Sequence, residues 1–475
     1  MGNFFNTVND DTIAAIATAM SDAGIGIIRV SGKKAVDICD KIYVSASKKH
    51  DLKSHAPNTI RFGYIVETDD EKIIDEVMIS FMKAPHSYTR EDVIEINSHG
   101  GMLVMNEILN LLCNNGCRLA EPGEFTRRAF LNGRIDLTKA EAVMDIIGAQ
   151  NNFALDSSRS QLQGSIYKKV VSLRKDILYN MAYIESAIDD PENYDLSGFS
   201  DKLKEKISEM TDDIDKMVSS ADEGRIRKDG IKTVIIGKPN AGKSSLLNSL
   251  SGNEKAIVTE IAGTTRDVIE ETIRLDDIIL NLIDTAGIRD TEDLIEKIGV
   301  DRAKEKIAEA DLCLYILDST RDIDEEDRQI MGLCKGKKTI VILNKNDLKG
   351  NIKITDDILS VSFTGFDFDA IPVVTASLIN GEGLDLLKKA IYDLFLNGDI
   401  VPKQEIYITN LRHKRLLIQA RQSLELVINS IDEGLSEDFY TVDLTGAYNS
   451  LGEIIGEEIG DDLAEEIFSK FCMGK

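Results

Sequence analysis

The chain has 475 residues, carries a formal charge of -26 and is 43% apolar. That length exceeds what one hydrophobic core serves and suits two to four domains. The acid excess argues against holding a polyanion over a broad surface, so any nucleic acid would need a local basic patch or a partner. No run of about 18 uncharged apolar residues occurs, which excludes a membrane-spanning helix. The opening "MGNFFNTVNDDT" lacks the basic-then-apolar layout of a signal peptide. Cys39, Cys113, Cys117, Cys313, Cys334 and Cys472 are scattered without a zinc spacing, which points to a reducing cytoplasm rather than a disulfide framework. The first five are expected to be buried thiols.

Four β-rich stretches come first: "GIGIIRVSG", "NTIRFGYIVET", "IIDEVMISFM" and "DVIEINSHGG". "MLVMNEILNLLCNNG" then reads as a helix ending at Gly116, so residues 1–120 form an α+β domain. From Thr138 the period becomes helical. Thr138 and Glu141 have the spacing of a capping box, and Val143, Ile146, Ile147, Leu162, Ile166, Val170, Leu173, Ile177 and Met181 come after them at helical intervals. Pro191 ends this stretch, and a further amphipathic helix runs to about Ser220. In the last 75 residues or so, Leu451, Ile454, Ile455, Leu463 and Ile467 read as one helical face, with "EEIGDDLAEE" as solvated acid around it. Between the helical stretches, from about Ile231 to Asn397, the strand-like runs "KTVIIG", "IILNLIDTAG", "DLCLYILD" and "KTIVILNKND" alternate with helices. Such alternation marks a parallel doubly wound sheet. The expected organisation is an α+β domain at 1–120, a helical domain split between 121–228 and 398–475, and an α/β domain at 229–397 inserted into it.

"GKPNAGKS", Gly237 to Ser244, matches the phosphate loop G-x-x-x-x-G-K-[ST]. It stands between a buried strand and a helix, as wrapping phosphates with backbone N–H groups at a helix N-terminus requires. Lys243 can reach the β and γ oxygens, and Ser244 can hold Mg²⁺. "DTAG", Asp284 to Gly287, ends a strand where Asp284 supports the magnesium shell and Gly287 meets the γ-phosphate. "NKND", Asn344 to Asp347, also ends a strand. Its Asp347 carboxylate can accept hydrogen bonds from N1 and the 2-amino group of guanine, which adenine lacks. Thr265 in "TTRD" offers the switch hydroxyl for Mg²⁺. Together these motifs resemble the translation-factor-like GTPases. The fifth motif lies in "VTASLINGEG", as Ser377-Leu378 or, in another register, Ala376-Ser377. A Ras-type enzyme has Gln directly after DTAG to orient water, whereas this chain has Ile288. The loop "NEKAIVTEIAGTTRD", with Asn240 in the phosphate loop, supplies the carbonyl and amide oxygens that suit a weakly hydrated cation such as K⁺.

With "SYTREDVIEINSHGG", "EPGEFTRRAFLNGRIDLTKAEAV", "AIVTEIAGTTRD" and the terminal "FCMGK" in family order, the chain resembles the tRNA-modification GTPases called MnmE or TrmE. The resemblance implies an N-terminal folate-binding and dimerising domain, a discontinuous helical domain and an inserted Ras-like P-loop domain. It implies a homodimer that joins the FAD-carrying flavoprotein MnmG in a heterotetramer. That assembly places an aminomethyl or carboxymethylaminomethyl group on C5 of the wobble uridine, position 34, of certain tRNAs. The one-carbon donor would be 5,10-methylenetetrahydrofolate, with 5-formyltetrahydrofolate as its analogue.

Residue by residue, the resemblance gives nucleotide contacts at Asn240, Ala241, Gly242, Lys243, Ser244 and Ser245, and in the segment Thr259, Glu260, Ile261, Ala262, Gly263, Thr264 and Thr265. Asp284, Thr285, Ala286, Gly287, Asn344, Lys345, Asp347, Ser377 and Leu378 complete that set. K⁺ would take Asn240, Thr259, Ile261 and Thr264, and the G domains would pair across it. Glu296 would orient water through a second water, replacing the missing glutamine. Folate would meet Arg29, Glu95, Arg134 and Lys475: a carboxylate or guanidinium fork suits a pterin edge, and cations suit the glutamyl tail. Cys472 would be required for modification; Gly474 and Lys475 occupy the last places that a prenylation box would need. The alternative is a ribosome-assembly GTPase of the Era or Der type, against which stand a single phosphate loop and the acidic excess.

Overall fold

The structure is a computed structural model that describes residues 11–47, 49–54, 56–68, 72–194, 196–252, 269–275, 278–283, 306–348, 371–396, 406–457, 460–471 and 474. The chain divides into two compact units. One comprises Met1–Ile147, Arg159–Leu196 and Ser436–Lys475, and the other Gly148–Ser158 and Ser197–Leu435.

The first unit opens with β1 (Thr12–Ile16), β2 (Ala23–Ser31), α1 (Ala35–Ile42), β3 (Tyr43–Ser45), β4 (Thr59–Val66), β5 (Ile73–Met82), β6 (Val93–Gly100), α2 (Met102–Asn114) and β7 (Cys117–Leu119). These strands form one sheet in the order β3-β4-β5-β6-β2-β1-β7. Neighbours are antiparallel except β1 and β7. The four β-rich stretches of the sequence are β2, β4, β5 and β6. β1 is not legible in the pattern because "TIAAI" is buried throughout and so lacks the alternation of a half-exposed strand. β3 and β7 have three residues each, too few to carry a period.

Apolar side chains from α1 and α2, including Ile38, Ile42, Met105, Ile108 and Leu112, join Ile28, Val30, Ile65, Ile79, Ile94 and Ile96 in one core. Gly26 permits the approach of α2, since a Cβ there would stand 2.2 Å from the Met105 sulfur. On the other face Arg29, Glu95, Ser80 and Ile60 form one cross-strand row, and Ile27, Asn97, Met78 and Phe62 the next. Ile60, Met78 and Phe62 there are 62%, 51% and 47% exposed. Of the five cysteines expected to be buried, Cys39, Cys117, Cys313 and Cys334 are, whereas Cys113 is half-buried on α2.

α3 (Glu124–Leu131) is tied to this sheet by a buried ionic network. Arg128 donates to Asp11 at 2.7 Å and to Glu124 at 2.9 Å, and pairs with Glu91 at 3.2 Å. Arg118 forks onto Glu124 at 2.6 and 3.1 Å. Burial pushes the Glu124 carboxyl up, but hydrogen bonds from Arg118, the Glu121 backbone and Arg128 outweigh it and hold the group below its ordinary range. A carboxyl lowered in the folded state adds stability above its unfolded value and loses it as pH falls through the folded one. Arg128→Met should therefore cost about 3 kcal/mol near neutrality, because it strips a partner from buried carboxylates. The gap to the parent should narrow below about pH 4. Urea melts of both proteins at the two pH values check this; parental stability at neutral pH would show that the network is no major tie.

α4 (Leu137–Gly148) corrects the capping box expected at Thr138 and Glu141. Asp136 caps instead, its Oδ1 accepting from the Lys139 amide at 3.1 Å and the Thr138 hydroxyl at 2.5 Å. Thr138 and Glu141 are buried inside the helix, since Asp136 sits one residue before its start and takes the cap position first. α5 (Asn152–Leu162) and α6 (Ser165–Asp189) divide what the spacing presents as one run, because Gly164 turns left-handed at φ +85°. α7 (Phe199–Asp229) runs past the expected end near Ser220 and stops at Gly230.

The second unit continues from α7 with β8 (Ile231–Gly237), α8 (Lys243–Gly252), β9 (Ile269–Leu275), β10 (Ile278–Ile283), β11 (Leu312–Asp318), α9 (Glu325–Leu333), β12 (Lys338–Asn344), β13 (Val373–Thr375), α10 (Leu384–Leu396) and α11 (Leu411–Asp432). Its sheet has the order β13-β12-β11-β8-β10-β9. Pairing is parallel except between β9 and β10. The chain crosses from β10 on one side of β8 to β11 on the other, and ligands bind beyond the carboxyl ends of strands at such a switch point. α7 and α11 run together, with ion pairs Lys414–Asp222 at 2.7 Å and Arg421–Asp215 at 2.6 Å.

α12 (Glu437–Ile455) and α13 (Asp461–Ser469) return to the first unit. Arg174 of α6 lies 3.9 Å from the centre of the Tyr448 ring on α12. The single face expected through Ile467 is two helices, because Gly456 breaks it at φ +94° and places Leu463 and Ile467 on α13. The whole is the multidomain α+β and α/β architecture expected, with a Ras-like sheet in the second unit.

Candidate functional site

Unusual backbone shapes the loop between β8 and α8. Gly237, Asn240 and Gly242 have φ of +150°, +60° and +117°. A Cβ on Gly242 would stand 2.0 Å from the Asn344 side-chain nitrogen, so glycine is required where the two loops meet. Asn344 donates to the Ala241 carbonyl at 2.8 Å and accepts from the Leu378 amide at 3.1 Å. One side chain thus joins three motifs that lie far apart in sequence.

The remaining described residues of the set converge here. Lys243 donates to the carbonyls of Gly237 at 2.7 Å and Lys238 at 3.0 Å, within the concavity that its loop encloses. Ser244 is exposed and Ser245 half-buried at the start of α8. The Ser377 hydroxyl donates to Asp347 Oδ1 at 2.6 Å, which fixes the orientation of an exposed carboxylate. Lys345, at φ +67°, pairs with Asp318 at 2.6 Å. Ser377 and Leu378 are therefore both engaged, one by its side chain and the other by its amide. Thr259, Glu260, Ile261, Ala262, Gly263, Thr264, Thr265, Asp284, Thr285, Ala286, Gly287 and Glu296 lie outside the described residues.

A second cluster forms in the other unit, on the open face of the seven-stranded sheet. Arg29 donates through Nε to Glu95 Oε1 at 2.9 Å and through Nη1 to the Gly474 carbonyl at 3.0 Å. The Arg29 guanidinium stands 5.4 Å from the Tyr88 ring and 5.7 Å from that of Phe125. Arg134 lies 4.7 Å from the same Tyr88 ring. Tyr88 itself shares a hydrogen bond of 2.9 Å with the Thr126 hydroxyl. Two guanidiniums, a carboxylate and an aromatic face thus come together beside the C-terminus, an arrangement suited to a flat polar ring with an anionic substituent. Cys472 and Lys475 lie outside the described residues.

Several contacts seat this end of the chain. Phe468 and Phe471 pack with Leu137 and Ala140 in one apolar cluster. At Gly474, φ is +84° and a Cβ would stand 2.4 Å from the Ile16 carbonyl oxygen. Tyr88 and Phe125 are additions to the sequence-based set; the one available signal is "SYTRED", which holds Tyr88 beside charged residues. Arg90 in that stretch adopts φ +62° and donates to the Asn132 carbonyl at 2.8 Å, tying its loop to the turn that presents Arg134.

Comparison with known proteins gives the family. A family model of the MnmE helical domain matches residues 137–472, and one of the GTP-binding protein TrmE N-terminus matches residues 12–134. The tRNA modification GTPase MnmE of Lachnoclostridium phytofermentans is 49% identical over 465 residues, covering 98% of this chain and 99% of its own. That of Enterococcus faecalis is 46% identical over 473 residues, covering 99% of each chain. The Lactobacillus johnsonii protein of the same name is 45% identical over 466 residues and 98% of each chain. With a guanine-nucleotide constellation on a Ras-like sheet and both family models matched in order, the chain belongs to the MnmE (TrmE) family of tRNA modification GTPases.

Proposed function

We propose that this GTPase, as a homodimer working with an MnmG-type flavoprotein that carries FAD, adds an aminomethyl or carboxymethylaminomethyl group to C5 of wobble uridine in tRNA. The one-carbon unit comes from 5,10-methylenetetrahydrofolate. Family membership favours this over a ribosome-assembly role of the Era or Der type. The observation that carries the folate assignment is the hydrogen bond from Arg29 to the Gly474 carbonyl, with Glu95 and Arg134 close by. It joins three of the expected folate residues to the segment that contains Cys472 and Lys475. The exposed Ile60, Met78 and Phe62 lie on the same sheet face and support a dimer formed there.

In the nucleotide site, Ser244 and Thr265 hold Mg²⁺, which neutralises charge on the β and γ phosphates when bound. Asn240, Thr259, Ile261 and Thr264 hold K⁺ between two paired G domains, and Glu296 orients water. The left-handed backbone of Asn240 at φ +60° supports a specialised role for that residue in the loop. The domain reading of 1–120, 121–228 with 398–475, and 229–397 fits this division of labour, and the setting is the cytoplasm. Titration with 5-formyltetrahydrofolate should give one site per chain, and Arg29→Met should weaken it by about tenfold or more, as loss of a charge-assisted fork implies. Absence of binding to the parent would remove folate from the account.

A further inference from the structure

We propose that the acidic loop between β11 and α9, residues 318–327, is a strap that positions the nucleotide site from behind, with Asp324 holding Lys238 of the phosphate loop and Asp318 holding Lys345 of the base-reading motif. The proposal rests on the assignment of the nucleotide site above. Lys238 is the second residue of "GKPNAGKS", and its charge alone would suggest a phosphate contact. The geometry gives it another partner. Its ammonium donates to both Asp324 carboxylate oxygens at 2.5 Å and lies 2.8 Å from Glu326 and 3.8 Å from Asp327.

Asp324 is held in turn. It caps α9, accepting from the amides of Glu326 at 3.0 Å and Asp327 at 3.2 Å. Asp327, 1% exposed, receives a two-pronged bond from Arg321 at 2.7 and 2.8 Å, while the buried Tyr315 hydroxyl donates to its carbonyl at 3.1 Å. Hydrogen bonding from Lys238 holds the Asp324 carboxyl down at about 2, so the pair stays ionised throughout the neutral range. At the other end, Asp318 Oδ2 accepts from Lys345 at 2.6 Å, and its Oδ1 is fixed by the Thr320 hydroxyl at 2.7 Å. Ser319 donates to the Asn344 carbonyl through both its amide, at 3.0 Å, and its hydroxyl, at 2.7 Å.

A phosphate loop with left-handed backbone at three positions holds its shape only if its surroundings determine it. Gly237 is set against the Ile316 carbonyl and Gly242 against Asn344, where a Cβ would stand 2.5 and 2.0 Å away. Lys238 on Asp324 is the third fixed point. The Lys238 carbonyl also receives Lys243, so displacing Lys238 moves a resting partner of the phosphate-binding lysine. Asp324 and Asp318 thus act through lysines, as positioning residues at the phosphate and base ends.

Calorimetric titration of the full chain with GDP and GMP tests this. Lys238→Met and Asp324→Asn should each weaken GDP binding about tenfold, the loss of one charged hydrogen bond. GMP, which lacks the β-phosphate, should lose less. Asp318→Asn should weaken GDP and GMP equally, and Lys238→Arg should restore most of the affinity. The double variant Lys238→Met/Asp324→Asn should bind no worse than either single one. Parental GDP binding by Lys238→Met, or losses that multiply in the double variant, overturns the strap. If Asp324→Asn fails to fold through loss of its cap, Lys238→Met alone decides, since the cap remains. Lys243→Ala separates the two assignments: if it binds GDP normally, the phosphate-loop reading itself fails; if it does not while Lys238→Met does, only the strap falls.

Discussion

Cells whose only copy carries Cys472→Ser should lack the C5-modified wobble uridine, while the purified variant hydrolyses GTP at the parental rate. The separation reflects where the two sites lie. The nucleotide constellation is built on the sheet of one compact unit and the Arg29 cluster on that of the other. Nearby in the same tail, Phe471 lies in an apolar cluster with Phe468, and Gly474 lies against β1 and Arg29. Serine keeps the size of the side chain and removes the sulfur, so the loss is chemical rather than structural. Nucleoside mass spectrometry together with a GTPase assay checks both halves; modified uridine at parental levels would take the tail out of the reaction.

Lys243→Ala should lower GTP hydrolysis about 100-fold or more, the usual cost of removing one group that meets developing phosphate charge. Lys243 begins α8 inside the loop closed by Gly237 and Gly242, and its ammonium rests on two carbonyls of that loop. Alanine leaves the loop backbone in place, so folding should survive. Replacing K⁺ by Na⁺ in the same assay should also slow the parent sharply, because carbonyl and amide oxygens fit the larger, less hydrated ion. An unchanged rate in Na⁺ would defeat the potassium assignment without touching Lys243.

How much is legible in the sequence depends on how local each constraint is. The phosphate loop is legible because wrapping a phosphate fixes glycine, lysine and serine at set intervals between a strand and a helix. NKND is legible for the same reason, although its bonds to Ala241 and Leu378 are not. The strap is invisible at that level: Lys238 and Asp324 lie 86 residues apart and meet only because β8 pairs with β11. Arg29 and Gly474, separated by 445 residues, are linked by family likeness rather than by any pattern within the chain. Helix ends mislead where a neighbour competes, as Asp136 does with Thr138, or where one glycine interrupts an apolar period, as Gly164 and Gly456 do. Tyr88 carries only the weak signal of its charged neighbours in SYTRED, because an aromatic residue in a charged turn is not distinctive until the fold places two arginines against its ring.

The most direct test is mass spectrometry of tRNA nucleosides from a strain deleted for this chain, before and after its return on a plasmid. The expected result is loss of the aminomethyl-type groups at C5 of wobble uridine in the deleted strain. They should reappear with the parental chain and stay absent with Lys243→Ala. An unaltered nucleoside profile in the deleted strain, or full restoration by Lys243→Ala, would contradict the claim that GTP hydrolysis here drives modification of a tRNA base.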